Sequence, residues 1–281
     1  MPDRDASRTA LATAYLRAAH QILDARPLIF EDPTALPLLG SGASQRILGS
    51  IERYQAVKAK ALRSHVVLRS RYAEDRLRAA VPRGISQYII LGAGFDTFAI
   101  RQPEWAKALK IIEVDHLGTQ SLKRSRIADA NFEIPANVSF ADVDFERESL
   151  HDGLLRYGIS LEETSFFSWL GVTMYLNEAA IDETLQSMAA FPPGSEVVIT
   201  FMQPPDSASD QDASLLAERV NNAGEPFVSY FKPDELREKL FKAGFTQVGF
   251  LSPEDAFSSY YDGRPADIPS PERAVIAFAI R

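Results

Sequence analysis

Residues 5–26 carry Leu11, Tyr15, Ala18, Ala19, Ile22 and Leu23 at spacings of three and four. That is the mark of one apolar helix face, and Pro27 ends it. A looser stretch with Pro33, Pro37, Gly40 and Gly42 follows. Residues 44–80, rich in Ala, Leu and Arg, predict one or two helices that stop before Pro82-Arg83-Gly84. There the period changes. Gln87-Tyr88-Ile89-Ile90-Leu91 is a short apolar run closed by Gly92-Ala93-Gly94, which predicts a buried strand entering a tight turn. Further strands are predicted at 110–115, 137–142, 164–170 and 196–201, with helical patterns between them such as 117–130 and 178–190. Residues 203–224 are polar and rich in Asp, Ser and Ala, as in a surface insertion or lid. Pro233-Asp234-Glu235-Leu236 opens a helix, Gly244 is its expected C-cap, and two late strands near 246–251 and 274–280 finish the sheet.

Strands alternating with helices from residue 86 onward imply an α/β fold with a mainly parallel sheet. The expected organisation is an N-terminal helical cap over 1–82 and a second unit over 83–281, with the lid near 203–224.

Composition narrows the chemistry. The 281 residues contain no cysteine, which excludes a thiol nucleophile, a disulfide framework, cysteine-ligated zinc and iron–sulfur clusters. Thirty Lys+Arg against thirty-eight Asp+Glu give a net charge of −8, which argues against nucleic acid or an anionic membrane as partner. The N-terminus lacks a signal-peptide pattern, and no apolar run approaches the ~18 residues of a membrane span. A cytoplasmic protein is the expectation. No residue set suggests a metal site.

The glycine turn carries the chemical signal. At the first strand-to-helix turn of an open α/β sheet, Gly92-Ala93-Gly94 lets backbone N–H groups approach a ligand closely. Asp115 ends the next strand, where a carboxylate can accept from both hydroxyls of a ribose. The pair predicts a nucleoside site; the plainer alternative is a tight turn with Asp115 capping the next helix. A dinucleotide loop wants a small residue where Thr97 stands, and the Asp96 carboxylate would repel a pyrophosphate. The charge suits a ligand with an ammonium and a sulfonium, such as S-adenosylmethionine, better than NAD.

Four segments then carry a resemblance: LGAGFDTFAIR (91–101), IIEVDH (111–116), ADVDF (141–145) and FFSWLGVTMYL (166–176). Together they resemble the leucine carboxyl methyltransferase-like family, whose bacterial members are S-adenosylmethionine-dependent O-methyltransferases. The N-terminal SRTALATAYLRAAH is similar to the family's first helix. The resemblance implies a Rossmann-like class I methyltransferase fold: a seven-stranded, mostly parallel sheet with helices on both faces.

It also implies roles. Arg69, in a segment that resembles the family's Arg-Thr-Arg-Phe-Phe-Asp, would hold the methionyl carboxylate; the plainer reading is a solvated face of an Arg-rich helix. The loop of Gly92, Ala93 and Gly94 would face the methionyl part, Asp96 would add charge or cap a helix, and Asp115 would hold the ribose with His116 beside it. Asp144 would accept from the adenine amino group and Phe145 would cover the ring. Where many members have Glu before a glycine, this chain has Leu170, a departure that weakens transfer of the leucine-carboxyl activity. Tyr175 is a candidate lining residue.

Methyl transfer to a carboxylate needs no base, whereas a hydroxyl acceptor does. The histidines are His20, His65, His116 and His151; His116 lies by the crevice and His20 is on the helix that could cover it. His116, His20 and Tyr175 are therefore the catalytic candidates, and no acid–base constellation stands out. The expected partner is a small-molecule methyl acceptor bearing a carboxylate or a hydroxyl. Alternatives are a protein carboxyl methyltransferase, a non-catalytic nucleoside-binding protein and, last, an NAD-dependent oxidoreductase.

Overall fold

The computed structural model describes residues 6–145, 147–205 and 224–281. The chain begins with α1 (Arg8–Leu23), three short helices α2 (Ala35–Leu38), α3 (Ala43–Leu48) and α4 (Ile51–Gln55), and the long α5 (Val57–Ala80). Where one or two helices were expected over 44–80, there are three. The helical path breaks at Gly49-Ser50 and again at Ala56, whose ψ of 142° is extended.

Seven strands follow: β1 (Gln87–Leu91), β2 (Lys110–Asp115), β3 (Val138–Asp142), β4 (Ser165–Trp169), β5 (Glu196–Thr200), β6 (Gln247–Phe250) and β7 (Ile276–Ile280). Their order is β3-β2-β1-β4-β5-β7-β6. Neighbours from β3 through β5 pair in parallel, while β7 runs antiparallel to both β5 and β6. The crossover helices include α6 (Leu117–Asp129), α7 (Leu150–Arg156) and α8 (Glu178–Ala189), and α9 (Pro233–Ala243) ends at Gly244 with φ 117°. This is the seven-stranded, mostly parallel sheet implied by the sequence.

Both faces of the sheet are covered, so β1 is buried at all five positions. Its alternate residues feed two cores. Ile89 and Leu91 join one with Val197, Ile181 and Leu185, while Tyr88 and Ile90 join the other with Leu68, Leu77 and Phe166. Helix α5 is thus a layer of the sandwich. A third cluster packs Ala14, Ala18 and Ala19 of α1 against Leu38, Ile47, Phe95 and Ile127. The small side chains of α1 bring it close to the β1 turn. The expected lid, apart from residues 203–205 and 224, lies outside the described residues. No described helix is long and apolar enough to cross a membrane.

Candidate active site

The site is built at the C-terminal ends of β1, β2 and β4, the place where open α/β sheets bind ligands. After β1 the chain turns through Gly92 (φ 63°) and Gly94 (φ 51°), a region that favours glycine. Space demands glycine as well: a Cβ on Gly92 would overlap Val172, and one on Gly94 would lie 3.2 Å from Ala10 of α1. Asp115, the last residue of β2, accepts from the Gly94 N–H at 2.5 Å and from the His116 N–H at 2.7 Å. Burial raises its pKa, opposed by those two N–H donors and by the charges of His116 and Lys123. Each carboxylate oxygen keeps a second lone pair for a ligand hydroxyl.

Asp96 accepts from Phe98 N–H at 2.8 Å through Oδ1, one residue ahead of Thr97, the N-cap position of the short turn at 98–100. Glu113, two residues before Asp115, is committed elsewhere: Lys123 pairs with its Oε2 at 2.5 Å, both side chains sealed. Asp144 lies 3.3 Å from Arg147 and 4.0 Å from His116 Nε2. Phe145 is buried in the core beyond β3.

Arg69 reaches this site from α5. Arg76, seven residues on, pairs with Glu196 at the start of β5, so α5 runs from the C-terminal edge of the sheet toward its N-terminal edge. The Arg69 guanidinium occupies the space a side chain at Gly171 would need, just past the end of β4. Among the described residues it has no hydrogen-bonded or ion-paired carboxylate; Tyr175 lies nearby, and the charges of Arg17 and Asp96 act on it in opposite directions. Burial lowers its pKa to about 10, still far above neutrality, so the cation persists. An uncompensated buried guanidinium is costly unless a ligand anion completes it. Leu170 is partly buried and packs on the apolar core.

The whole chain compares with known proteins. The family model for leucine carboxyl methyltransferase matches residues 10–189. This chain belongs to the leucine carboxyl methyltransferase family. YktD of Bacillus subtilis, which carries the name of an S-adenosyl-L-methionine-dependent methyltransferase, is 32% identical over 94% of each chain. A similarly named protein of Mycobacterium marinum is 24% identical, covering 92% of this chain and 94% of its own. The fold likeness extends to a Streptomyces avermitilis structure (TM-score 0.59, 13% identity, 96% and 95% covered). It extends also to a Thermobifida fusca structure described as a methyltransferase (TM-score 0.55, 17% identity, 87% and 91% covered). The protein is a methyltransferase, and its methyl donor is S-adenosylmethionine.

Two of the methyltransferase's three candidate catalytic residues stand near the crevice. His116 opens α6 beside Asp115. The Tyr175 ring packs at a tilt against Phe227, centroids 5.3 Å apart, with Thr9, Arg69 and Glu225 near its hydroxyl, and burial raises its pKa. His20 is a correction. It is fully buried inside the cap, with Nδ1 2.7 Å from Asp24 and Nε2 accepting from Phe30 N–H, so neither nitrogen is free for a substrate.

Sequence reasoning missed the buried ionic knot that ties the cap to the glycine loop. Asp32 is fully buried and accepts from Thr97 Oγ1 at 2.7 Å, with Arg17 2.9 Å away. Arg17 also donates to the Phe95 carbonyl, and Arg101 grips Glu74 of α5 through two nitrogens. The signal was an acidic pair, Glu31-Asp32, directly after the apolar Ile29-Phe30, together with Arg101 inside the family motif. Glu225 was missed likewise; it accepts from the Arg8 and Thr9 N–H groups and so caps α1 over the crevice.

Proposed function

We propose that this methyltransferase acts on a small molecule, placing the methyl group on an oxygen. The observation that carries the reading is the convergence at one sheet edge of Asp115, bonded to the glycine turn, and an Arg69 without a protein carboxylate. The donor set matches the donor's chemistry. Arg69 would take the methionyl carboxylate in a two-pronged grip, Gly92, Ala93 and Gly94 would offer backbone groups to the methionyl part, and Asp115 would hold the ribose. Asp144 and Phe145 at the end of β3 would meet the adenine. When bound, S-adenosylmethionine supplies a methyl group activated on a sulfonium; the chain's contribution is mainly proximity and alignment.

A protein carboxyl acceptor is the second reading, favoured by the name of the family. Leu170 counts against it: the resemblance implies a Glu at this place in many family members, and here the side chain is apolar. The net charge of −8 counts against nucleic acid as acceptor. The cap over 1–82, the domain over 83–281 and a cytoplasmic location are parts of the same proposal.

The test is calorimetry with S-adenosylhomocysteine, followed by incubation of a cell extract with methyl-labelled donor. Micromolar binding and label in the small-molecule fraction support the reading. Label in acid-precipitated protein would transfer it to protein methylation, and the absence of binding would remove it.

A further inference from the structure

His65 stands one helical turn before Arg69 on the same face of α5. Because α5 descends from the C-terminal to the N-terminal edge of the sheet, His65 lies about 6 Å farther out than Arg69 along the helix axis. That level is above the strand ends, where an acceptor must lie to meet the donor's methyl group. Its partners set it apart. His20 uses both ring nitrogens inside the cap. His65 is mostly enclosed, yet it makes no hydrogen bond among the described residues.

The charges nearby point the same way. Arg17, Arg63 and Arg101 are committed to Asp32, Asp24 and Glu74 respectively. Arg69 is assigned above to the donor's own carboxylate. The ionisable groups next to Arg69 are Tyr175, Asp96 and the Asp32-paired Arg17, with Glu225 beyond. An acidic acceptor would therefore find each nearby cation already paired, Arg17 with Asp32 and Arg69 with the donor. A neutral acceptor meets an imidazole with open lone-pair capacity.

We infer that the acceptor group is a neutral hydroxyl, of an alcohol or a phenol, and that His65 is the catalytic base that takes its proton. The inference rests on the donor site proposed above. The hydroxyl proton passes to an imidazole nitrogen as the oxygen's electron pair bonds to the methyl carbon; the carbon–sulfur pair stays with sulfur. The imidazolium then returns its proton to water. Burial first, and the Arg69 charge second, lower the His65 pKa to about 3, so the ring is neutral at physiological pH. Pairing of Arg69 with the donor's carboxylate removes only the second of these causes; burial, the first, remains.

The experiment uses the full-length protein, wild type and His65→Gln, with S-adenosylhomocysteine and 4-methylphenol, neutral at physiological pH, as probes and 4-methylbenzoate as the anionic control. Calorimetry first fixes S-adenosylhomocysteine affinity. Failure of the wild type to bind it removes the donor site itself. If both proteins bind it alike, nitrogen-edited NMR of the histidine rings is read next. The expected result is a shift of the His65 signals when 4-methylphenol, and not 4-methylbenzoate, joins the complex. With labelled donor, panels of phenols and matched benzoates should show turnover of phenols alone, lowered about 100-fold or more in kcat by His65→Gln. An unmoved His65 signal, preferred methylation of benzoates, or an unchanged kcat in the variant would each overturn the inference.

Discussion

The backbone N–H of Gly94 donates to Oδ2 of Asp115 at 2.5 Å, so the acid that ends β2 also holds the turn that ends β1. One carboxylate thereby couples the shape of the glycine loop to the position of a ribose. Asp115→Ala removes both. S-adenosylhomocysteine affinity should fall about 100-fold, two hydrogen bonds to a charged group being worth roughly 3 kcal/mol together. Calorimetry on the folded variant checks this, and a change under threefold would show that Asp115 does not hold the ligand.

Gly171 bears on Arg69. Its φ is 76°, and a Cβ there would meet the guanidinium. Gly171→Ala should cost about 1–3 kcal/mol of stability through backbone strain. It should also weaken S-adenosylhomocysteine binding at least about tenfold by displacing Arg69. Urea titration and calorimetry separate the two effects; lost stability with unchanged affinity would detach Arg69 from the ligand.

The cap has a separate stability centre. Asp24 accepts from Arg63 through both oxygens, at 2.7 and 2.6 Å, and also meets His20. All three side chains are nearly or fully sealed. Removing one partner of a buried pair strands the other, so Asp24→Ala should cost about 3–5 kcal/mol in urea denaturation. His20→Gln should lower stability while leaving S-adenosylhomocysteine affinity unchanged. A loss of affinity in that variant would return His20 to the site.

The state of His65 predicts a pH effect on stability. Its folded pKa is lowered from 6.5 to about 3. Between those values the unfolded chain binds the proton and the folded chain does not. Stability therefore rises with pH across that window, and this residue's penalty grows as pH falls below about 6.5, by at most about 1.4 kcal/mol per unit. The stability difference between wild type and His65→Gln, measured by urea titration at several pH values from 4.5 to 7.5, should shift against the wild type at the acid end. A flat difference would place a partner on His65.

Much of the catalytic half was legible because its signals are local. A run of apolar residues ending in Gly92-Ala93-Gly94, and an acid ending the next run, specify strand, turn and site within a few residues of each other. The cap was less legible. The breaks at Gly49 and Ala56 divide one helical pattern into three helices, and α5 covers a sheet face that its Arg-rich sequence conceals. The knot of Arg17, Asp32, Thr97 and Arg101 and the docking of Glu225 on α1 join residues far apart in sequence, where spacing carries no information. His20 and His65 were equivalent as letters. Only packing separates the one enclosed by Asp24 and Phe30 from the one left open above Arg69.

The most direct test of the central claim is a crystal structure of the full chain with S-adenosylhomocysteine. The account predicts the ligand's carboxylate on Arg69 and its ribose hydroxyls on Asp115, with the sulfur facing the segment after β4. Ligand bound elsewhere, or bound in this crevice with its carboxylate away from Arg69, would contradict it.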